Sequence, residues 1–184
     1  LTARGSDTFA YDYAGRMTSA TVTGVTSTFA YDGDDVRTSV STGSTTLPQV
    51  WDRLCMAGTC GACGGAGQTV PRMVDDTQAA YVWAEGLVAE VSSANGRVDT
   101  MTDALGSVRG WTDAAATTVA TADYDAFGSV ASSTGVPGQF RFTGEEWDAT
   151  GLEYLRARYY DPATGRFTAA DTVQPNAPGT QGWN

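Results

Sequence analysis

Apolar and polar positions alternate along most of this chain, and turn residues interrupt the alternation at short intervals. Phe9, Tyr11 and Tyr13 are separated by single residues, the spacing of one face of a β-strand. Residues 12–15 read as a turn, because an Asp side chain can bond backbone amides two residues on, and Arg16 opens the return strand. Residues 22–31 rise into a second unit that turns through Asp32-Gly33-Asp34-Asp35, and Asp-Gly is a strong hairpin signal. Residues 80–83 lead through Glu85-Gly86 to residues 87–91, and Asn95-Gly96 predicts another hairpin. Residues 102–109 lead to Trp111, residues 118–124 return, and residues 125–128 turn again. Residues 140–144 with Glu146 and Trp147 predict one strand region, and residues 148–151 a turn. Residues 152–160 then predict the longest strand, followed by a second turn at residues 161–165 and a new strand from Arg166. Apart from an ambiguous Ala-rich piece near Ala114, nothing shows a helical apolar period. The expected fold class is all-β and antiparallel.

The alternation also keeps a longer period. Phe9-Ala10-Tyr11-Asp12, Phe29-Ala30-Tyr31-Asp32 and Gln49-Val50-Trp51-Asp52 place an aromatic-Asp pair every 20 residues. Related pairs return at Tyr124-Asp125 and Tyr160-Asp161. A fixed period of this size marks a repeat architecture. One hairpin is marginal in water, so its stability must come from stacked neighbours. The aromatic before each turn and the Arg that often follows it can meet across the strands, ring against guanidinium. Each Tyr-Asp pair therefore has a structural role to fill before any catalytic one.

Composition narrows the function classes. Hydrophobic residues make up 41 % of 184 residues, with no Ile and few Leu, and the formal net charge is −10. Low aliphatic content and high charge would fit disorder, but disordered chains are poor in aromatics and these recur in order. A thin core built on Tyr, Trp and Phe is the better expectation. Every positive charge is an Arg, and no basic run supplies the footprint that nucleic acid requires, so no nucleic-acid partner is expected. His is absent, which rules out a Ser-His-Asp or Cys-His site within this chain. No apolar run approaches the roughly 20 residues of a membrane span, so no membrane insertion is expected. The chain opens in mid-repeat and carries no evident terminal cap, the expectation for a piece of a longer polypeptide.

Residues 55–67 break the pattern with a Gly-rich stretch that carries Cys55, Cys60 and Cys63. The C-x4-C-x2-C spacing allows thiolate metal or redox chemistry, although three Cys without His leave a zinc site one ligand short. A loop with one disulfide and a spare thiol, or with three free thiols, fits the same residues. No cofactor is expected. The breaks divide the chain into repeats at 1–54, a Gly/Cys-rich loop at 55–70 and a distinct segment at 71–184.

The later segment carries a resemblance. Residues 151–167, Gly-Leu-Glu-Tyr-Leu-Arg-Ala-Arg-Tyr-Tyr-Asp-Pro-Ala-Thr-Gly-Arg-Phe, closely resemble the core-domain signature of Rhs/YD-repeat proteins. Residues 103–109, 124–128 and 140–144 resemble the blocks that precede it in the same order, and residues 11–17 look like a YD repeat. The resemblance implies a spirally wound β-shell, part of which this chain would form. That shell encloses or displays a C-terminal effector, a toxin, which is then the expected partner. It also implies a secreted or cell-surface location for the full-length parent.

The resemblance implies aspartyl autoproteolysis in that parent, while this fragment alone is not expected to be an enzyme. Two carboxylates must come close enough to share a proton. Asp161 and Asp171 flank the turn at residues 162–165, and Arg166 matches the family's Gly-Arg and could hold a carboxylate. Equally, Asp161 is the turn Asp and Arg166 its partner. Thr172 stands where the family has Pro after Asp171, and Ala116 stands where a turn Gly is expected. The alternative function is a surface adhesion module that binds carbohydrate or a cell-surface protein through its aromatics.

Overall fold

A computed structural model describes residues 2–52, 71–135 and 138–170. Among these residues there is no α-helix, and the strands form three open antiparallel sheets in which chain neighbours are sheet neighbours. The first sheet joins β1 (Ala3–Arg4), β2 (Asp7–Tyr11), β3 (Met17–Val22), β4 (Val25–Tyr31), β5 (Arg37–Thr42) and β6 (Thr45–Pro48). The second joins β7 (Val50–Asp52), β8 (Arg72–Asp75), β9 (Ala79–Trp83), β10 (Leu87–Ser92), β11 (Gly96–Thr102), β12 (Val108–Thr112), β13 (Thr118–Tyr124) and β14 (Val130–Thr134). The third, a small closing sheet, joins β15 (Glu146–Trp147), β16 (Glu153–Tyr154), β17 (Tyr159–Asp161) and β18 (Arg166–Phe167).

Period-two burial drives the strands. Along β2, Asp7 and Phe9 are buried while Thr8 and Ala10 are exposed, and β4 repeats this with Ser27 and Phe29. The β2–β3, β4–β5, β11–β12 and β13–β14 hairpins each carry a bulge beside the turn, whereas β3–β4, β5–β6 and β10–β11 pair without one. The pairs Tyr11↔Met17, Tyr31↔Arg37, Thr102↔Val108 and Tyr124↔Val130 each follow a register shift, which leaves Thr18, Thr38, Arg109 and Ala131 as the extra residues. A bulge adds local right-handed twist at each of these turns.

The closing sheet seats on the buried faces of both large sheets. Leu152, Tyr154 and Tyr159 share a core with Phe9, Met17, Phe29 and Val40, while Phe140 packs with Tyr81, Trp111 and Val108. Trp51 lies against both cores.

Four local expectations are corrected. Residues 152–160 are not one strand: the chain reverses at residues 155–158, with Leu155 N–H donating to the Arg158 carbonyl (2.9 Å) and Arg156 at φ +59°. A straight strand would put Arg156 and Arg158 on the same face as Leu152 and Tyr154. The reversal instead pairs Tyr154 with Tyr159 and buries both rings. The strand expected at residues 140–144 is an isolated bridge at Phe140 followed by a tight turn over Phe142–Gly144. In the Asp32 turn the left-handed residue is Asp35 rather than Gly33. The Ala-rich piece near Ala114 is a hairpin turn, and Ala116 does take the glycine-like conformation, at φ +59°.

Candidate functional site

The repeat Asp residues close turns of one design. At Asp12, Asp32, Asp103, Asp113 and Asp125, Oδ1 accepts the amides of the second and fourth following residues at 2.8–3.1 Å. In each, the Asp amide donates to the carbonyl of the fourth residue, and the amide of the third donates back to the Asp carbonyl. The third residue is left-handed: Gly15, Asp35, Gly106, Ala116 and Gly128. At two of these turns the Tyr before the Asp ties its hydroxyl to the neighbouring strand, Tyr31 to the Met17 carbonyl (2.8 Å) and Tyr124 to the Val108 carbonyl (2.9 Å), while Tyr11 donates to the Thr168 carbonyl (3.0 Å). Arg16 spans two turns, holding Asp12 Oδ2 (2.7 Å) and Asp35 Oδ1 (2.8 Å) while stacking 5.3 Å from the Tyr31 ring. In each of these carboxylates Oδ1 is committed to holding the turn.

Asp148 departs from the design. Its turn has the same backbone bonds, with Gly151 left-handed, yet its Oδ2 accepts from Arg37 Nη1 at 2.7 Å. Arg37 is 0 % exposed, Glu146 1 % and Asp148 3 %. Arg37 Nη2 lies 2.5 Å from Glu146 Oε1, Nη1 donates to Tyr159 Oη (2.6 Å) and Nε donates to Gln49 Oε1 (3.0 Å). The guanidinium sits 4.0 Å from the Tyr154 ring centre. Gln49 and Gln139 both donate to Glu146 Oε1, at 2.6 and 2.7 Å. Burial opposes the charge on Arg37, but Asp148 and Glu146 outweigh it and hold the guanidinium firmly protonated. Burial raises Asp148 against the pull of Arg37. The network joins β5 to the closing sheet across more than 100 residues of chain.

This network was not anticipated, although the 20-residue period carries its signal. Arg37 occupies the position of Met17 in the preceding repeat, and Gln49 occupies that of Phe9 and Phe29. Two polar residues replace two core residues, and they bond each other.

The residues expected to be catalytic meet in part. Asp161 is buried; its Oδ1 accepts from the Ala163 amide (3.0 Å) and its Oδ2 from Thr164 Oγ1 (2.8 Å). Its cation is Arg4, from the first strand, which forms an ion pair with Oδ2 and also bonds Asp7 Oδ2 (2.7 Å). Arg166 pairs across the strands with Asp161 in register and is exposed. A cavity of about 530 Å³ is lined by Arg4, Asp161, Thr164, Arg166, Phe167 and Thr168. Asp171 lies outside the described residues, as do Cys55, Cys60 and Cys63. Among the described residues no cluster of His, Cys, Asp and Glu is placed to hold a metal ion.

Comparison with solved structures decides the architecture. TcdB2-TccC3 matches 90 % of this chain and 9 % of its own, at TM-score 0.64 and 17 % identity. The fold is the one in that complex. The same complex without its hypervariable C-terminal region gives TM-score 0.66 at 17 % identity over 90 % of this chain and 9 % of the other. In sequence, the tRNA3(Ser)-specific nuclease WapA of Bacillus spizizenii is 27 % identical and the tRNA nuclease WapA of Bacillus subtilis 28 % identical, each over 93 % of this chain. The chain spans 6 % of the length of those curated relatives. No family model matches it.

Proposed function

We propose that this chain is a segment of an Rhs/YD-repeat shell that encloses or displays a C-terminal effector, a toxin, in a secreted or surface-exposed parent. One observation carries the reading: a buried arginine pins the small third sheet to the buried face of the repeat hairpins. The similarity to TcdB2-TccC3 over 90 % of the chain and to two WapA nucleases over 93 % supports it. On this reading the turn Asp residues are structural, and Asp161, Arg166 and Asp171 form part of an aspartyl self-cleavage site. The ion pair of Asp161 with Arg4 adds that the first strand would help close that site.

Expression of the whole open reading frame that carries the chain tests both parts. Enclosure requires the C-terminal region to resist a protease that digests it when it is expressed alone. Self-cleavage requires two fragments from the wild type and one from Asp171→Asn. A protease-sensitive effector overturns enclosure, and an uncut wild type overturns self-cleavage.

A further inference from the structure

The hairpin formed by β15 and β16 carries more buried negative charge than its arginines neutralise. Glu146 is opposite Tyr154 and Trp147 is opposite Glu153, so alternation sorts four carboxylates onto two faces. On one face Glu146 and Asp148 share Arg37. On the other, Arg156 forms an ion pair with Glu145, and Glu153 lies beside Glu145 as a second buried carboxylate. Glu153 is 1 % exposed. Each face also holds a buried carboxylate oxygen with no hydrogen-bond partner, Glu146 Oε2 on one and Glu153 Oε1 on the other. Two ionised carboxylates on one arginine leave a net buried charge, which a low-dielectric interior strongly penalises.

We propose that this hairpin is a proton-held latch, in which each carboxylate pair retains a proton while the closing sheet is seated and loses it as the sheet loosens. The groups facing the first pair are Arg37 and Gln49 from the first sheet, Tyr154 and Tyr159 from the closing sheet, and Gln139. Tyr31 from β4 and Tyr81 from β9 add to the field there and stay neutral, both raised by burial. The second pair faces Arg156, Tyr124 and Tyr160, and the two tyrosines are raised chiefly by burial. Burial first, and the neighbouring Glu145 second, push Glu153 up to about 8. Burial raises Glu145 against the pull of Arg156.

The sign follows from linkage. A carboxyl raised in the folded state binds a proton that the unfolded chain has released, so its stabilising effect is complete below the ordinary carboxylate range and lost as pH rises through the folded value. The latch therefore weakens from about pH 5 towards pH 8. The sequence makes this window readable: with no His, no side chain with an ordinary titration falls between pH 5.5 and 7.5. The inference concerns the seating of the closing sheet and stands whether or not an effector is enclosed.

The test is reversible unfolding of the chain between pH 5.5 and 7.5, with proton release counted by calorimetry in two buffers of different ionisation enthalpy. The wild type should release one to two protons on unfolding, and its unfolding constant should rise about tenfold per pH unit for each. Asp148→Asn with Glu153→Gln should flatten that dependence. Proton release near zero from the wild type overturns the latch even if the variant does not fold, and so does a slope unchanged in a folded double variant.

Discussion

Replacing Arg37 by Met, the residue at the same place in the preceding repeat, tests the buried network most directly. The substitution leaves Glu146 and Asp148, at 1 % and 3 % exposure, without the cation that lies 2.5 and 2.7 Å away. Removing one partner of a buried ion pair costs about 3–5 kcal/mol, because the remaining charge is stranded. The Tyr154 ring also loses a guanidinium at 4.0 Å, a contact worth up to about 2 kcal/mol when desolvated. Met has similar volume and fits an inward position, so little of the loss comes from a cavity. Urea unfolding followed by Trp fluorescence should therefore show a loss of about 3–5 kcal/mol at pH 7, shrinking at pH 5 as Asp148, raised by burial, takes up a proton. The triple variant Arg37→Met, Glu146→Gln, Asp148→Asn should recover most of it, since an entire buried ionic network can be exchanged for neutral groups at little net cost. A single variant within about 1 kcal/mol of the wild type, or a triple variant as unstable as the single, would refute the reasoning.

The turns give further expectations. Ala116→Gly relieves a left-handed alanine at φ +59° and should add about 1 kcal/mol, read as a rise in melting temperature. Gly128→Ala should lower stability by about 2 kcal/mol, because the residue sits at φ +93° and the new Cβ would lie 2.5 Å from Phe142 Cδ1. Asp103→Ala removes an acceptor for the Leu105 and Ser107 amides (2.9 and 3.0 Å) and for Arg109 Nε (2.9 Å), and should cost about 1–2 kcal/mol in denaturant unfolding. Asp103 is lowered, by Arg109 and the turn amides acting against burial, so its contribution is present above the ordinary carboxylate range and lost as pH falls below about 4. Acid unfolding of Asp103→Ala should accordingly be less steep than that of the wild type.

Much of this fold was legible because its repeat is local. The Asp that closes a turn, the left-handed third residue and the buried aromatic lie within six residues of one another, so spacing alone exposes them, down to the odd alanine at position 116. The closing sheet was harder to read. Residues 152–160 alternate like a strand, and only the cost of burying Arg156 and Arg158 on one face shows why the chain reverses. Arg37 carries no local signal of its role. Its partners lie more than 100 residues away, where no local pattern reaches. Of the residues picked for a site, Asp161 and Arg166 line one cavity and Asp171 lies outside the described residues, while the cation on Asp161 comes from Arg4, at the far end of the chain, which no local spacing could reveal.

The departures from the repeat explain how a repetitive sheet acquires one specific seat for the small third sheet. A wall of identical hairpins has no preferred place for a closing sheet, because every inward position offers the same apolar surface. Exchanging the Met17 position for Arg37 and the Phe29 position for Gln49 changes that at one site. An inward arginine is tolerable only where carboxylates meet it, and Glu146 and Asp148 are tolerable only where an arginine meets them. Asp148 supplies its carboxylate by giving up the side-chain bonds that every other turn Asp of this design makes, while the turn backbone keeps its shape. Seating the sheet one repeat earlier would set both carboxylates against Met17, a misfit of several kcal/mol by the same buried-charge cost. The network thus selects register first and adds net stability second. On that logic, moving the arginine back one repeat, with Met17→Arg and Arg37→Met together, should not restore the closing sheet, because Gln49 and Tyr159 would remain at the original site.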